Sequence, residues 1–262
     1  DVERSRGLGD VYKRQLHNNL SGMPYKNFED DYCPEESFAK INPEVFHDNY
    51  LIDTYGCTAC PTPCGHSYFI DHGPYAGTHC LKIEGNAMLD FGSRLAVDDP
   101  AANLKAQQLC GELGLDLDNT SSVIAWAVDC FQNNLLSKES TDGLELNWGD
   151  AGVAIELIKK IAYRDGIGNL LAEGSLKASQ VLGKGSEKYS FQIKGQDLVE
   201  GIRSTKGWAL GIVVSPRGAT HTRGAPYTEY RQWSSKDSQE TFGVQTAGDP
   251  TTYSGKATIV SY

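Results

Sequence analysis

The sequence predicts a mainly α-helical fold with short, irregular β elements, and three observations carry that expectation. Apolar residues from Ala106 to Leu182 recur at the 3.6-residue helical period. Cap and turn residues divide that stretch into segments of ordinary helix length. Strand-like alternation is weak and confined to the neighbourhood of Tyr68 and Ile70.

Taken in order, residues 1–15 (DVERSRGLGDVYKRQ) are charged and aperiodic. Their tail resembles a sequencing-adapter read-through, so they are set aside as a non-native leader. From Leu16 to Tyr50 the chain is aromatic and turn-rich, which predicts loops and short helices, one of them opened by Pro34 with Glu35 and Glu36 in its first turn. Ser67 to Gly77 carries Gly73, Pro74 and Gly77 and predicts a short hairpin. Ala106, Leu109, Cys110 and Leu113 mark one face of a helix ending at Gly114. Asn119 and Thr120 offer a cap for the next, lined by Ile124, Ala127, Val128, Phe131 and Leu135. Asp150 caps a third, with Ala154, Leu157, Ile158 and Ile161 on one face, and a fourth is expected over 170–182. Glycine is then dense around the apolar run Trp208 to Val214, and beyond Tyr227 the sequence turns polar and irregular. The expected division is a helical domain over 16–200 that carries a thiol loop, and over 201–262 the start of a second helical domain, cut short at Tyr262.

A chain of 262 residues with 39% hydrophobic content can bury a real core. Its formal charge of −10 argues against nucleic acid or an anionic membrane as partner, since both repel it at long range. No apolar run approaches the roughly 20 residues a spanning helix needs, and no signal segment opens the chain, so a cytoplasmic location is expected. The seven cysteines are unevenly spread, unlike a disulfide framework and more like reduced metal ligands with a few buried thiols.

The chemistry concentrates at Cys57, Cys60 and Cys64, a C-x2-C-x3-C loop. Thiolates bind soft metals, and one loop wraps one centre only when its ligands lie two or three residues apart. The loop reads as three ligands of an iron–sulfur cluster, with Pro61 and Pro63 stiffening it. Two alternatives stand beside that reading: a structural Cys3His zinc loop using His66, which would make the chain a non-catalytic binding domain, and buried thiols without metal. Cys110 belongs on an apolar helix face and reads as core, and Cys33 and Cys130 carry no better case. Cys80, among His79, Lys82 and Glu84, is balanced between a half-buried thiol and a metal ligand. His221 shares a glycine-flanked loop with Arg217 and Arg223, a pattern suited to proton transfer beside a phosphate or to a solvated basic loop.

An ordered set of motifs carries a resemblance. Cys57-x2-Cys60-Pro-x2-Cys64, Phe91-Gly92-Ser93, Cys110 to Asp116, Leu170 to Gly174, Gly207-x-Ala209-Leu210 and Ser215-x-Arg217-Gly218-x2-His221 together resemble the aldehyde:ferredoxin oxidoreductase family. The resemblance covers the chain from about Leu16 to Pro226, and the order is far more specific than any one motif. It implies a tungsten or molybdenum enzyme with two pyranopterin cofactors beside a 4Fe-4S cluster. This chain would correspond to the family's helical domains, which follow a β-rich pterin domain.

Carried over, Cys57, Cys60 and Cys64 would hold the cluster, with the family's fourth cysteine lying beyond Tyr262. Gly114, Leu115 and Asp116 match the pterin-contacting pattern Asp-x-x-Gly-Leu-Asp, although Gly111 stands where its first Asp belongs. Asp116 would accept from the pterin ring edge, Arg223 would meet its phosphate, and His221 and Glu84 would move protons at the metal. Glu84 alone survives of the family's Glu-Tyr-Glu stretch. With Cys80 just upstream, that departure is similar to the benzoyl-CoA reductase branch, in which a cysteine thiolate ligates tungsten. The implied function is oxidoreduction: interconversion of aldehydes and carboxylates with ferredoxin, or reduction of an aromatic acyl-CoA thioester. The implied partners are ferredoxin or another iron–sulfur subunit and a small aldehyde or acyl-CoA, and a homodimer is compatible with the resemblance.

Overall fold

A computed structural model describes residues 23–61, 65–81, 88–203 and 205–261. Cys64 and Glu84 lie outside the described residues, as does the leader. Among the described residues the first helices are α1 (Glu35–Ile41) and α2 (Pro43–Tyr50). Pro34 occupies the N-cap of α1, as its carboxylate-rich first turn predicts, and Asn42 caps α2 by accepting from the Val45 amide at 3.0 Å.

Three short antiparallel strands follow, β1 (Leu51–Tyr55), β2 (Gly65–Phe69) and β3 (His79–Leu81), in spatial order β1-β2-β3. The predicted hairpin is the β2–β3 pair, with Tyr68 opposite Cys80 and Gly73, Pro74 and Gly77 in the connection. Alternation sends Tyr68 and Cys80 into the core and leaves Phe69 and Leu81 exposed.

A π-helical turn (Met88–Gly92) and a 3-10 turn (Ser93–Leu95) lead into the helical body: α3 (Pro100–Leu113), α4 (Leu117–Gln132), α5 (Ala151–Tyr163), α6 (Ile167–Leu171) and α7 (Ser175–Leu182). The predicted face residues Ala106, Leu109, Cys110, Ile124, Ala127, Val128, Leu157 and Ile158 are buried around Trp126, which is itself fully buried. Two expectations are corrected here. Asp116, not Asn119 or Thr120, caps α4, because its carboxylate accepts from the Asn119 amide at 2.8 Å. The single helix expected over 170–182 is two helices, since Gly174 at φ 80° takes the chain out of helical backbone between them.

Beyond a two-stranded ribbon, β4 (Gln192–Ile193) with β5 (Gln196–Asp197), the apolar run forms α8 (Lys206–Val214). The polar end is not irregular throughout, as composition had implied: it holds α9 (Ser235–Phe242) and α10 (Lys256–Val260). Ser234 caps α9 by accepting from the Asp237 amide at 3.1 Å. Gly211 lets the 224–225 backbone lie against α8, since a Cβ there would stand 2.4 Å from the Ala225 Cα. No helix among the described residues is long and apolar enough to cross a membrane.

One buried acid gives a pH prediction. Burial pushes the Asp129 carboxyl up to about 7, against the bond it accepts from Asn27 Nδ2 at 2.6 Å. The folded chain thus holds a proton that the unfolded chain releases near pH 4. This contribution to stability is present in acid and lost as the pH rises through 7. Asp129→Asn keeps the bond and is expected to leave stability near pH 4 unchanged while raising it by about 2 kcal/mol at pH 8. Urea midpoints at the two pH values check this, and an equal gain at both would refute it.

Candidate active site

The thiol loop leaves the end of β1. Cys57 and Cys60 are both exposed, and the Cys60 amide donates to the Cys57 carbonyl at 2.9 Å. That bond closes a turn, helped by Ala59 in the left-handed region at φ 61°. Two exposed thiols at the two ends of one closed turn fit adjacent corners of a cluster. His66, the fourth ligand of the zinc alternative, is on the strand face of Tyr68 and packs its ring 4.7 Å from that of His47 on α2. Among the described residues, no three His, Cys, Asp or Glu side chains converge to hold a metal; Cys64 is not one of those residues.

The turn between α3 and α4 carries Gly114, Leu115 and Asp116 and divides two clefts. One, about 420 Å³, is lined by Cys80, Gln107, Cys110, Gly111 and Leu115. The other, about 450 Å³, is lined by Leu115, Asp116, Asn119, Glu173, Gly174 and Asp197. Leu115 borders both. Beside Gly114 there is open space where a Cβ would stand, and Asp116 lines the second cleft with Glu173, which is paired with Arg164 at 2.9 Å and Lys177 at 3.5 Å, and with the buried Asp197. Asp116 is the acceptor that this cleft offers to the N–H edge of a flat ring. Its carboxylate is already engaged, accepting from the Asn119 amide and side chain at 2.8 and 2.7 Å.

Cys80 is 4% exposed, and its thiol donates to the Leu104 carbonyl at 3.1 Å. Burial pushes it up to about 12. To ligate a metal it would have to give up both that proton and that bond. Cys33, Cys110 and Cys130 are core thiols as expected, each pushed up to about 12 by burial.

His221 and Arg223 lie in the loop after α8, with Arg223 exposed. His221 does not stand in a bare basic loop. Its ring stacks on Trp208 at 5.1 Å and 17°, and its Nδ1 lies 3.8 Å from Glu200 Oε2. Trp208 Nε1 donates to the same oxygen at 2.9 Å. Tyr227 and Tyr230 close the indole's other sides at 5.5 and 5.0 Å between ring centroids. Burial holds the Tyr230 hydroxyl above its usual range, reinforced by Glu200.

Sequence reasoning missed Glu200, Trp208 and the pair that anchors them. Asp90 and Arg94 flank the Phe91-Gly92-Ser93 motif and are fully buried, 3.5 Å apart. Arg94 donates to the Val199 carbonyl, next to Glu200, and its guanidinium lies over the Phe28 ring at 5.2 Å. Asp90 accepts from Ser121 Oγ at 3.0 Å, and burial drives its carboxyl well above the usual range. The available signals were an acid inside the apolar stretch Leu198 to Ile202 and charges at i and i+4 around a motif otherwise apolar or small.

The chain matches the family model described as aldehyde ferredoxin oxidoreductase, domains 2 and 3, over residues 7–262. It belongs to that family. It is 32% identical over 213 residues to the aliphatic sulfonate oxidoreductase, WOR-like subunit, of Pyrococcus furiosus, covering 78% of this chain and 34% of that protein. It is 30% identical over 211 residues to the tungsten-containing aldehyde ferredoxin oxidoreductase of the same organism, covering 78% and 33%. The chain thus spans about a third of the length of the curated relatives it matches. Its fold resembles a chain of the active-site complex BamBC of benzoyl coenzyme A reductase in complex with 1,5 dienoyl-CoA, with a TM-score of 0.66 and 21% identity, over 86% of this chain and 34% of that one. The mainly α architecture is therefore the family's own for its domains 2 and 3.

Proposed function

We propose that this chain is the helical part of a tungsten-pterin, iron–sulfur oxidoreductase that interconverts aldehydes and carboxylates and passes electrons singly to ferredoxin or another iron–sulfur carrier. The observation that carries the reading is the family match over residues 7–262 in a chain whose Cys57–Cys60 turn presents two exposed thiols. Oxidation of an aldehyde takes up one water and releases two electrons and three protons on forming the carboxylate. The metal–pterin centre, when bound, supplies the two-electron redox chemistry. Cys57, Cys60 and Cys64 hold the cluster, and Asp116 orients the pterin edge across the turn that Gly114 and Leu115 complete. Arg223 neutralises a pterin phosphate. His221, with Glu84, takes and returns the protons of the reaction.

A second reading, reduction of an aromatic acyl-CoA thioester, draws support from Cys80, whose thiol borders the cleft on the other side of Leu115. In that reading Cys80 is a tungsten ligand.

Anaerobic purification of the whole protein with metal analysis is the test, and tungsten with iron is the expected result. Zinc without either would return the loop to the structural Cys3His alternative. In the loaded enzyme, His221→Gln is expected to lower kcat for aldehyde oxidation about a hundredfold or more. A variant that keeps parental kcat would remove His221 from the chemistry. Cys80→Ser separates the two substrate readings: an unaltered tungsten X-ray absorption spectrum supports the aldehyde reading, and a lost sulfur ligand supports the thioester one.

A further inference from the structure

Behind His221 stands a carboxylate with no role in the reading above. Glu200 is 4% exposed and sits where two different donors meet one oxygen: Trp208 Nε1 donates to Oε2 at 2.9 Å, and His221 Nδ1 lies 3.8 Å from it. The imidazole has little freedom to turn away, because its face lies on the indole at 17°.

Each piece of this arrangement is fixed from elsewhere. Arg94 holds the Val199 carbonyl beside Glu200. The Trp208 amide donates to Glu229 Oε2 at 2.9 Å, so that neighbouring carboxylate is engaged by the start of α8 and by Lys256 at 2.9 Å. Arg217 and Arg223, the cations of the His221 loop, are exposed.

We propose that Glu200 is a positioning residue for His221. Together with Trp208 it fixes the plane of the imidazole and makes Nδ1 the nitrogen that carries hydrogen, leaving Nε2 free to accept a proton. A carboxylate only accepts hydrogen bonds, so a ring nitrogen turned towards it is the protonated one. The 3.8 Å separation exceeds a hydrogen bond by about 1 Å, a gap of the kind that closes when a substrate is seated. The inference rests on the reading of His221 as proton carrier and adds the group that sets which nitrogen does the carrying.

Glu200→Met keeps the length of the side chain and removes the acceptor. With no oxygen there, the ring hydrogen returns to Nε2, the favoured site in a free neutral imidazole. Glutamine would not serve, because the oxygen that accepts from Trp208 Nε1 is also the one facing Nδ1. The experiment is 15N magic-angle-spinning spectroscopy of the whole oxidised protein labelled at histidine, with His221 assigned by its loss in His221→Gln. The parent is expected to show the Nδ1–H form and Glu200→Met the Nε2–H form, with its fold checked by near-ultraviolet circular dichroism. Turnover should fall about a hundredfold with KM within about twofold, and Glu200→Asp should restore the parental form.

An Nε2–H ring in the parent, or the same tautomer in parent and Glu200→Met, overturns the proposal. The parent spectrum decides alone if the variant fails to fold. A switched tautomer with undiminished turnover upholds the placement by Glu200 and overturns the proton role of His221.

Discussion

Replacing Cys60 by serine is expected to strip the whole protein of most of its iron and to reduce electron delivery to an external carrier to background. The backbone bond from Cys60 to the Cys57 carbonyl survives the substitution, so the turn stays closed and the loss isolates the thiolate. A serine hydroxyl is a hard, weakly acidic donor where a soft anion is required. The parent should carry about four iron atoms per cluster, and the variant should lose them together with its visible iron–sulfur absorption. Parental iron content in the variant would show that Cys60 is no ligand.

Lys256→Met is expected to cost about 3–5 kcal/mol of folding stability, because it leaves Glu229 buried without its cation. Both side chains are fully buried and 2.9 Å apart. Lys256 also donates to the Thr246 and Ala247 carbonyls at 2.6 and 3.2 Å, and Glu229 accepts from the Gly207 and Trp208 amides at 2.9 Å each. One ion pair therefore ties α10 to the start of α8. Adding Glu229→Gln should recover part of the loss, since a neutral acceptor still serves one of those amides. Urea midpoints of the two single variants and the double variant check this, and a strictly additive double would argue against the pairing.

What could be read in advance followed from local periodicity. The faces of α3, α4 and α5 are carried by side chains three and four residues apart, so their burial is visible before any tertiary contact is known. The errors came where one residue admits two roles. Asp116 reads as a ligand-facing acid, yet it also caps α4, which displaces the cap from Asn119. Gly174 reads as tolerable within a helix until its positive φ divides α6 from α7. In α9, polar residues hide a short helix held by the Ser234 cap.

At the candidate site, the Cys57–Cys60 turn was legible because it closes within four residues. Glu200 and Trp208 were not, since their meeting with His221 depends on how α8 packs against its own trailing loop at Gly211. Arg94 was further out of reach. Its contact with the Val199 carbonyl joins residues 105 positions apart, and nothing local announces it.

That last contact orders events in time. A tie between such distant points costs more loop-closure entropy than contacts among α3, α4 and α5, by about 0.6 kcal/mol for each doubling of separation, and contacts of long separation are expected to form later. Helices α3 to α5 can dock on one another first, over much shorter separations. The surroundings of Glu200, Trp208 and His221 then assemble on a finished platform. In native-state hydrogen exchange, the α8 amides should open at a lower free energy than those of α4. The region around His221 is thus expected to be the later to form and the readier to loosen.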